Sequence, residues 1–204
     1  GASFGGARAM VTMKHVGVNV AADPLFTFSY TGVRGGMVLV VADDPEMHSS
    51  QDEQDSRHYA RFAKVPMFEP SDSQEALDFT RLAFEVSEQF DTPIMVRSTT
   101  RISHSKSIVE LGEPMVDLPK TGLVRNPSKF VMLPGNARVR HPLVEKRLED
   151  MAEWACSQNF NRVENVGGEI GIITSGVAYH YAREVFPQAD ILKLGLVFPL
   201  PKQM

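Results

Sequence analysis

Lys14 and His15 stand side by side in TMKHVGVN, residues 12–19, just after a β-type run. A cation next to a titratable imidazole suits an anionic substrate such as a 2-oxo acid, because one group holds the carboxylate and the other polarises or protonates. The residues alone leave a plainer reading open, a solvated lysine and a histidine that caps a helix. A second polar group follows the most apolar run of the chain, where MVLVVA (37–42) passes into DDPEMHSSQDEQD (43–55). Asp43, Asp44, Glu46 and His48 invite a metal ion, yet their spacing matches no zinc, EF-hand or two-metal pattern, so no metal is expected here. The plain alternative is that Ser49 or Ser50 caps the next helix while Arg57, His58 and Tyr59 face solvent. TTRISHS (99–105) also follows a strand-like run, and its Arg101 either faces a cleft or forms a salt bridge. The glycine-rich YTGVRGG (30–36) precedes a strand and opens no helix, so it is a turn and not a phosphate-binding fingerprint. TSGVAY (174–179) opens a helix and leaves two readings, anion binding by free N–H groups or simple packing.

These groups need elements that bring them to one place. Strand-like runs at 9–13, 37–42 and 93–98 alternate with helical or polar stretches, which argues for βαβ units and an open parallel sheet flanked by helices. The unbroken apolar character of 37–42 suits a central strand covered on both faces. The clearest helix spans 73–90. Asp72 and Glu75 form a capping box at its start, and Ala76, Phe79, Ala83, Val86 and Phe90 form its buried stripe. Residues 104–134 are rich in Pro, Gly and charge and read as a linker. A second helix is expected over 142–158, buried through Leu143, Val144, Leu148, Met151, Ala152 and Ala155. A strand at 169–174, a helix at 175–186 and a strand at 191–198 make a further βαβ unit. In open α/β sheets ligands bind outside the carboxyl ends of the strands, so the loops at Lys14, Asp43 and Thr99 are expected on one edge.

Composition narrows the function classes. The chain has 204 residues and a net charge of −4, with its basic residues dispersed, so it has no basic stripe for nucleic acid. No apolar run approaches the roughly 20 residues of a membrane span, and a soluble, cytoplasmic protein is expected. Cys156 stands alone, so the chain can build neither an internal disulfide nor an iron-sulfur site, and Cys156 reads as a small buried hydrophobe. The start lacks a methionine and the end follows a strand directly, which reads as a piece of a longer protein.

TMKHVGVNVAADPLF, GGMVLVVADDPEMHSSQDEQDSRHYARFAKVPMFEPSD and GIITSGVAYHYAREVF resemble the alpha subunits of indolepyruvate:ferredoxin oxidoreductases, thiamine-diphosphate enzymes of the pyruvate:ferredoxin oxidoreductase superfamily. The resemblance runs along nearly the whole chain. It implies a partial pyrimidine-type thiamine-diphosphate-binding domain at 1–105, a linker and helix at 106–165, and the start of a transketolase C-terminal-like domain at 166–204. It implies a parent that oxidatively decarboxylates aryl-2-oxo acids such as indolepyruvate to aryl-acetyl-CoA, using thiamine diphosphate with magnesium, iron-sulfur clusters, coenzyme A, ferredoxin and a beta (gamma-like) subunit. On this resemblance Lys14 and His15 are the catalytic candidates. Asn19, Thr31, Asp44, Ser49, Ser50, Gln51, Gln54 and Arg101 are candidates for the substrate or cofactor cleft. The family's activating glutamate, its diphosphate-binding Gly-Asp-Gly motif and its Cys clusters match nothing in this chain. The piece by itself is therefore expected to be inactive and to hold no cofactor. The alternative is a catalytically silent assembly module whose 43–55 loop contacts another subunit.

Overall fold

The computed structural model describes residues 1–114 and 122–201. Strand β1 (Ala9–Lys14) runs directly into α1 (His15–Val20) and α2 (Ala22–Thr31), which return the chain to the start of β2 (Met37–Asp43). There follow α3 (Ser56–Ala63), the two-residue β3 (Met67–Phe68), α4 (Ser73–Gln89), β4 (Ile94–Thr99) and α5 (Thr100–His104). The short α6 (Pro127–Phe130) precedes the long α7 (Pro134–Ala155), then β5 (Arg162–Glu164), β6 (Gly171–Ser175), α8 (Ala178–Val185), β7 (Asp190–Leu194) and β8 (Leu196–Phe198).

The strands form a five-stranded sheet, ordered β1-β2-β4-β3-β8, and a three-stranded sheet, ordered β5-β7-β6. In the larger sheet β1, β2, β4 and β3 are parallel and β8 is antiparallel. Strand β2 is central because both of its faces are apolar. Val38 packs with Phe79, Ala83 and Val86 of α4 and with Met151 and Ala155 of α7, while Leu39 and Val41 face Val18, Leu25, Ala60 and Ala63. Losing an aromatic of such a core, such as Phe79, costs about 3–5 kcal/mol.

Helix α4 begins with the expected cap, Asp72 accepting from the Glu75 N–H at 2.8 Å. The reciprocal half differs. Glu75 accepts from the N–H and hydroxyl of Ser71, both at 2.8 Å, and its other oxygen meets the buried Lys193 of β7. That contact ties α4 to the smaller sheet, and a long-range partner of this kind leaves no local trace.

Three expected boundaries move. Helix α7 starts at Pro134 and carries Pro142 inside it, because Arg140 and Arg147 anchor the helix to the carbonyls of Tyr30, Asp91 and Ser29. Leu143, expected inside, is 52% exposed, while Arg147 is buried. Within the expected linker, Gln74 of α4 hydrogen-bonds both the N–H and the carbonyl of Glu110, so this part of the segment lies along the helix; residues 115–121 fall outside the described residues. The single strand expected at 191–198 breaks at Gly195, so that β7 joins one sheet and β8 the other. A side chain at Gly195 would approach the Phe160 carbonyl at 2.7 Å and the Phe79 ring at 2.9 Å, and the Gly195 N–H donates to Asn161 Oδ1 at 2.8 Å.

Candidate active site

Parallel pairing in register, Lys14 opposite Ala42 and Asp43 opposite Thr99, puts the carboxyl ends of β1, β2 and β4 on one edge. There the Lys14 ammonium donates to the Ser49 carbonyl at 3.1 Å and the Ser49 hydroxyl at 3.3 Å, and lies 3.6 Å from Asp44 Oδ2. Asp44 organises the following loop. Its carboxylate accepts from the N–H groups of His48 (3.1 Å) and Ser49 (2.9 Å) and from the hydroxyls of Ser50 (2.5 Å) and Thr100 (2.8 Å). The Ser50 hydroxyl contributes most to holding this carboxyl well below the usual carboxylate range. The loop contains two strained residues, Glu46 at φ 67° and Met47 at φ 54°, each costing about 1–3 kcal/mol. The donors gathered on Asp44 keep the chain in that shape.

The far end of the loop is fastened to α1. Asn19 donates to Gln54 at 2.8 Å, Gln54 donates to Asp52 at 3.0 Å, and the Tyr59 hydroxyl donates to Asn19. Beneath it His15 is 1% exposed, and neither ring nitrogen has a hydrogen-bond partner. The nearest carboxylate is Asp52 Oδ1, 3.9 Å from Nε2. An unpaired buried polar group costs about 1–3 kcal/mol, so an imidazole left this way is a candidate for work done on a ligand. His15 is the first residue of α1 and its side chain caps nothing.

A buried ionic chain lies behind this edge. Asp43 accepts from the Ser56 N–H at 3.0 Å, from the Ser56 hydroxyl, and from Arg97 Nε at 2.6 Å. The same guanidinium donates to Glu69, whose second oxygen accepts from Ser175 at 2.8 Å. Ser175 ends β6, so the carboxyl edges of both sheets meet across Glu69. Between them opens a cavity of about 450 Å³ lined by Arg57, Arg97, Thr99, Arg101 and Tyr181 among others. Arg101 forms no ion pair among the described residues, and its guanidinium stands 5.6 Å over the Tyr181 ring.

The structure therefore gathers Lys14, His15, Asn19, Asp44, Ser49, Ser50 and Gln54 around one loop. Gln51 is exposed within it, and Arg101 sits at the neighbouring cavity. Thr31 is not with them. It ends α2 at the opposite, amino edge of the sheet and bonds the carbonyls of Phe28 (3.2 Å) and Gly32 (3.4 Å). Neither Ser49 nor Ser50 caps α3; Asp55 does, accepting from the Arg57 N–H at 3.0 Å. Tyr59, expected in solvent, is half-buried against Asn19. Glu69, Arg97 and Tyr181 did not stand out in the sequence as site residues, and Asp43 and Ser175, weighed there for a metal ion and an anion, instead join the ionic chain. Arg97 left one signal, a lone cation inside the apolar run IMVRST.

Residues 1–167 match the family described as pyruvate flavodoxin/ferredoxin oxidoreductase, thiamine diphosphate-binding. The chain is 47% identical over its full length to an indolepyruvate oxidoreductase subunit IorA of Archaeoglobus fulgidus, of which it covers 34%. It is 42% identical over 98% of its length to the same-named subunit of Pyrococcus horikoshii, covering 33% of that protein. It thus spans about a third of the curated relatives it matches. Among solved structures it is similar to a 2-oxoglutarate:ferredoxin oxidoreductase from Magnetococcus marinus, with a TM-score of 0.67 and 16% identity over 98% of this chain and 44% of that one. A transketolase variant from Pichia stipitis shares the fold at a TM-score of 0.54 and 13% identity over 96% of this chain and 24% of that one. With a carboxyl-edge cleft in its sheet and a family match over residues 1–167, the chain belongs to the thiamine diphosphate-binding family of pyruvate flavodoxin/ferredoxin oxidoreductases.

Proposed function

We propose that this chain is part of the alpha subunit of an indolepyruvate:ferredoxin oxidoreductase, which oxidatively decarboxylates aryl-2-oxo acids to aryl-acetyl-CoA and passes the electrons to ferredoxin. The observation that carries this reading is the 42–47% identity, over nearly the whole chain, to subunits named for indolepyruvate. In this reading residues 1–105 are a pyrimidine-type thiamine domain, 106–165 a linker and helix, and 166–204 the start of a transketolase C-terminal-like domain.

Thiamine diphosphate, when bound, supplies the electron sink for decarboxylation. The unpaired imidazole of His15 and the Lys14 ammonium fit the substrate side of such a site. Lys14 and Arg101 hold anionic oxygens, His15 holds or gives a proton at its ring nitrogens, and the loop fixed by Asp44 keeps water from them. Asn19, Ser49, Ser50, Gln51 and Gln54 shape that loop. No group of three or more His, Cys, Asp or Glu among the described residues is placed to hold a metal. In this reading the ligands of the magnesium diphosphate and of the iron-sulfur clusters belong to the rest of the full-length protein, and the beta subunit to its assembly. No helix among the described residues is long and apolar enough to cross a membrane; a cytoplasmic complex is part of this reading.

The test is to purify the full-length protein with its beta subunit and follow ferredoxin reduction. The expected result is reduction that depends on both indolepyruvate and coenzyme A. Turnover of other 2-oxo acids alone would change the substrate class, and no turnover of any 2-oxo acid by the assembled, cofactor-loaded complex would leave the silent assembly module.

A further inference from the structure

Helices α2 and α3 lie together on the face of the large sheet opposite α4, and a groove of about 900 Å³ opens between them. Four aromatic rings line it. Phe26 and Tyr59 are half-buried against the core below, and Tyr30 is stacked on His141 of α7, which its hydroxyl meets at 2.8 Å. Phe62 is different, since it forms an edge-to-face pair with Phe26 at 4.6 Å and is still 76% exposed. The ionisable side chains between these rings are basic, in a chain of net charge −4. Lys64 is paired with Glu145 at 2.6 Å, whereas the side chains of His58 and Arg61 are exposed and have no hydrogen-bond or ion-pair partner among the described residues. Helical spacing puts them together: positions 58, 61 and 62 share the outer stripe of α3, three and four residues apart, while Ala60 and Ala63 face the core.

That composition suits a protein partner. A bare aromatic ring beside an unpaired guanidinium is what the centre of a protein interface is made of, because aromatic residues and Arg are enriched there and dominate its energetics. With His58, Arg61 and Phe62 all exposed, the groove is too open to bury most of a small molecule. A lipid surface asks for a cluster of Lys and Arg, and the groove offers one unpaired guanidinium. The complement of its surface is a polypeptide segment with a bulky apolar side chain flanked by carboxylates.

We propose that this groove seats the beta subunit, through a segment that lays a bulky apolar side chain on Phe62 and sets carboxylates against Arg61 and His58. The inference rests on the function proposed above, in which the chain works within an assembly, and assigns the surface that holds the second subunit. Seating also bears on the site. The Tyr59 ring lines the groove while its hydroxyl donates to Asn19, which in turn holds Gln54 at the far end of the loop that Asp44 shapes. A partner packed on Tyr59 therefore braces that loop from behind.

The test titrates the full-length alpha subunit with the beta subunit in a calorimeter. Phe62→Asp and Arg61→Glu are each expected to raise the dissociation constant about tenfold or more, as for the loss of a central anchor. Raising the salt from about 50 to about 300 mM should weaken the unsubstituted pair about threefold or more, and Arg61→Gln by less. Both side chains are exposed, so an unchanged thermal midpoint checks that the variants fold. In Phe62→Cys, alkylation at residue 62, read by mass spectrometry, should slow about tenfold on adding the beta subunit. A dissociation constant within about twofold of the unsubstituted one in both Phe62→Asp and Arg61→Glu overturns the proposal. Protection of residue 62 already present without the beta subunit also overturns it, and points to the rest of the alpha subunit or, where protection rises with concentration, to a second copy. Either result leaves the proposed function standing, because that fails separately, as absent indolepyruvate turnover by the unsubstituted complex.

Discussion

The Lys14 ammonium lies 3.6 Å from Asp44 Oδ2, joining the carboxyl ends of two adjacent parallel strands and the loop that follows the second. Asp44 is in turn the acceptor for four groups of that loop and of Thr100, so one carboxylate sets the shape of the edge. Asp44→Ala should release residues 46–50 without unfolding the sheet. Hydrogen exchange of the His48 and Ser49 amides should then accelerate by more than about tenfold, since each loses its acceptor, while the amides of β2 and β4 stay protected. Unchanged exchange at these two amides would mean that the loop is held by something else.

Asp43 has a different task from its neighbour. It is the buried partner of Arg97 and also anchors the start of α3 through Ser56. Breaking such a pair from one side leaves an uncompensated charge and costs about 3–5 kcal/mol. For a chain of this size, Asp43→Ala should lower the thermal midpoint by roughly 10 °C. Scanning calorimetry of the two proteins checks this, and a shift under about 3 °C would show that Glu69 alone suffices for Arg97.

His15 needs a replacement that keeps its volume, because its side chain is enclosed. His15→Leu should fold, having lost two unsatisfied polar atoms, yet should lower turnover of indolepyruvate in the full-length protein about tenfold or more, as when one polarising donor is removed. Stability and rate measured on the same preparation separate the two effects. Full activity in a stable variant returns His15 to a packing role.

Two part-buried carboxylates make the fold sensitive to acid. Burial alone would raise Asp55, but the side chain and amide of Arg57 and the charge of Arg97 bring it down to about 2. Burial likewise opposes Glu164, which Tyr179, Arg183 and Arg162 bring down to about 2. Both folded values lie below the ordinary unfolded ones near 4, so their stabilisation is complete above about pH 5 and is lost as the pH falls through 2. The urea midpoint should drop between pH 5 and pH 2.5, and Glu164→Gln should flatten part of that drop. A midpoint independent of pH across this window would contradict both assignments.

The 204-residue chain by itself should not retain thiamine diphosphate. Most of the cofactor's affinity is expected from its magnesium-bound diphosphate, which needs oxygen ligands around an octahedral ion. Calorimetric titration with thiamine diphosphate and magnesium should give no saturable heat at millimolar cofactor, which corresponds to less than about 4 kcal/mol of binding free energy. Micromolar binding would relocate the phosphate site into this chain, with residues 174–176 the first place to look.

What the sequence by itself determined is local and periodic. The double-faced apolar run 37–42 required a central parallel strand, the stripe from Phe79 to Val86 required a helix on the sheet, and strand polarity alone put Lys14, Asp44 and Arg101 on one edge. What only the tertiary structure decided is every pairing made across the chain. A run of eight apolar-rich residues gives no sign that Gly195 will divide it between two sheets, because that choice depends on how closely Phe160 and Phe79 approach its backbone. Glu75 looked like a local cap and became the partner of a buried lysine on another sheet. Thr31 looked like a neighbour of the cleft and lies at the far edge, since a helix that follows a strand carries the chain back across the sheet. Glu69, Ser175 and Tyr181 acquired their place only when the carboxyl ends of two sheets were brought face to face. Such contacts follow from packing between distant segments, which neither periodicity nor capping residues encode.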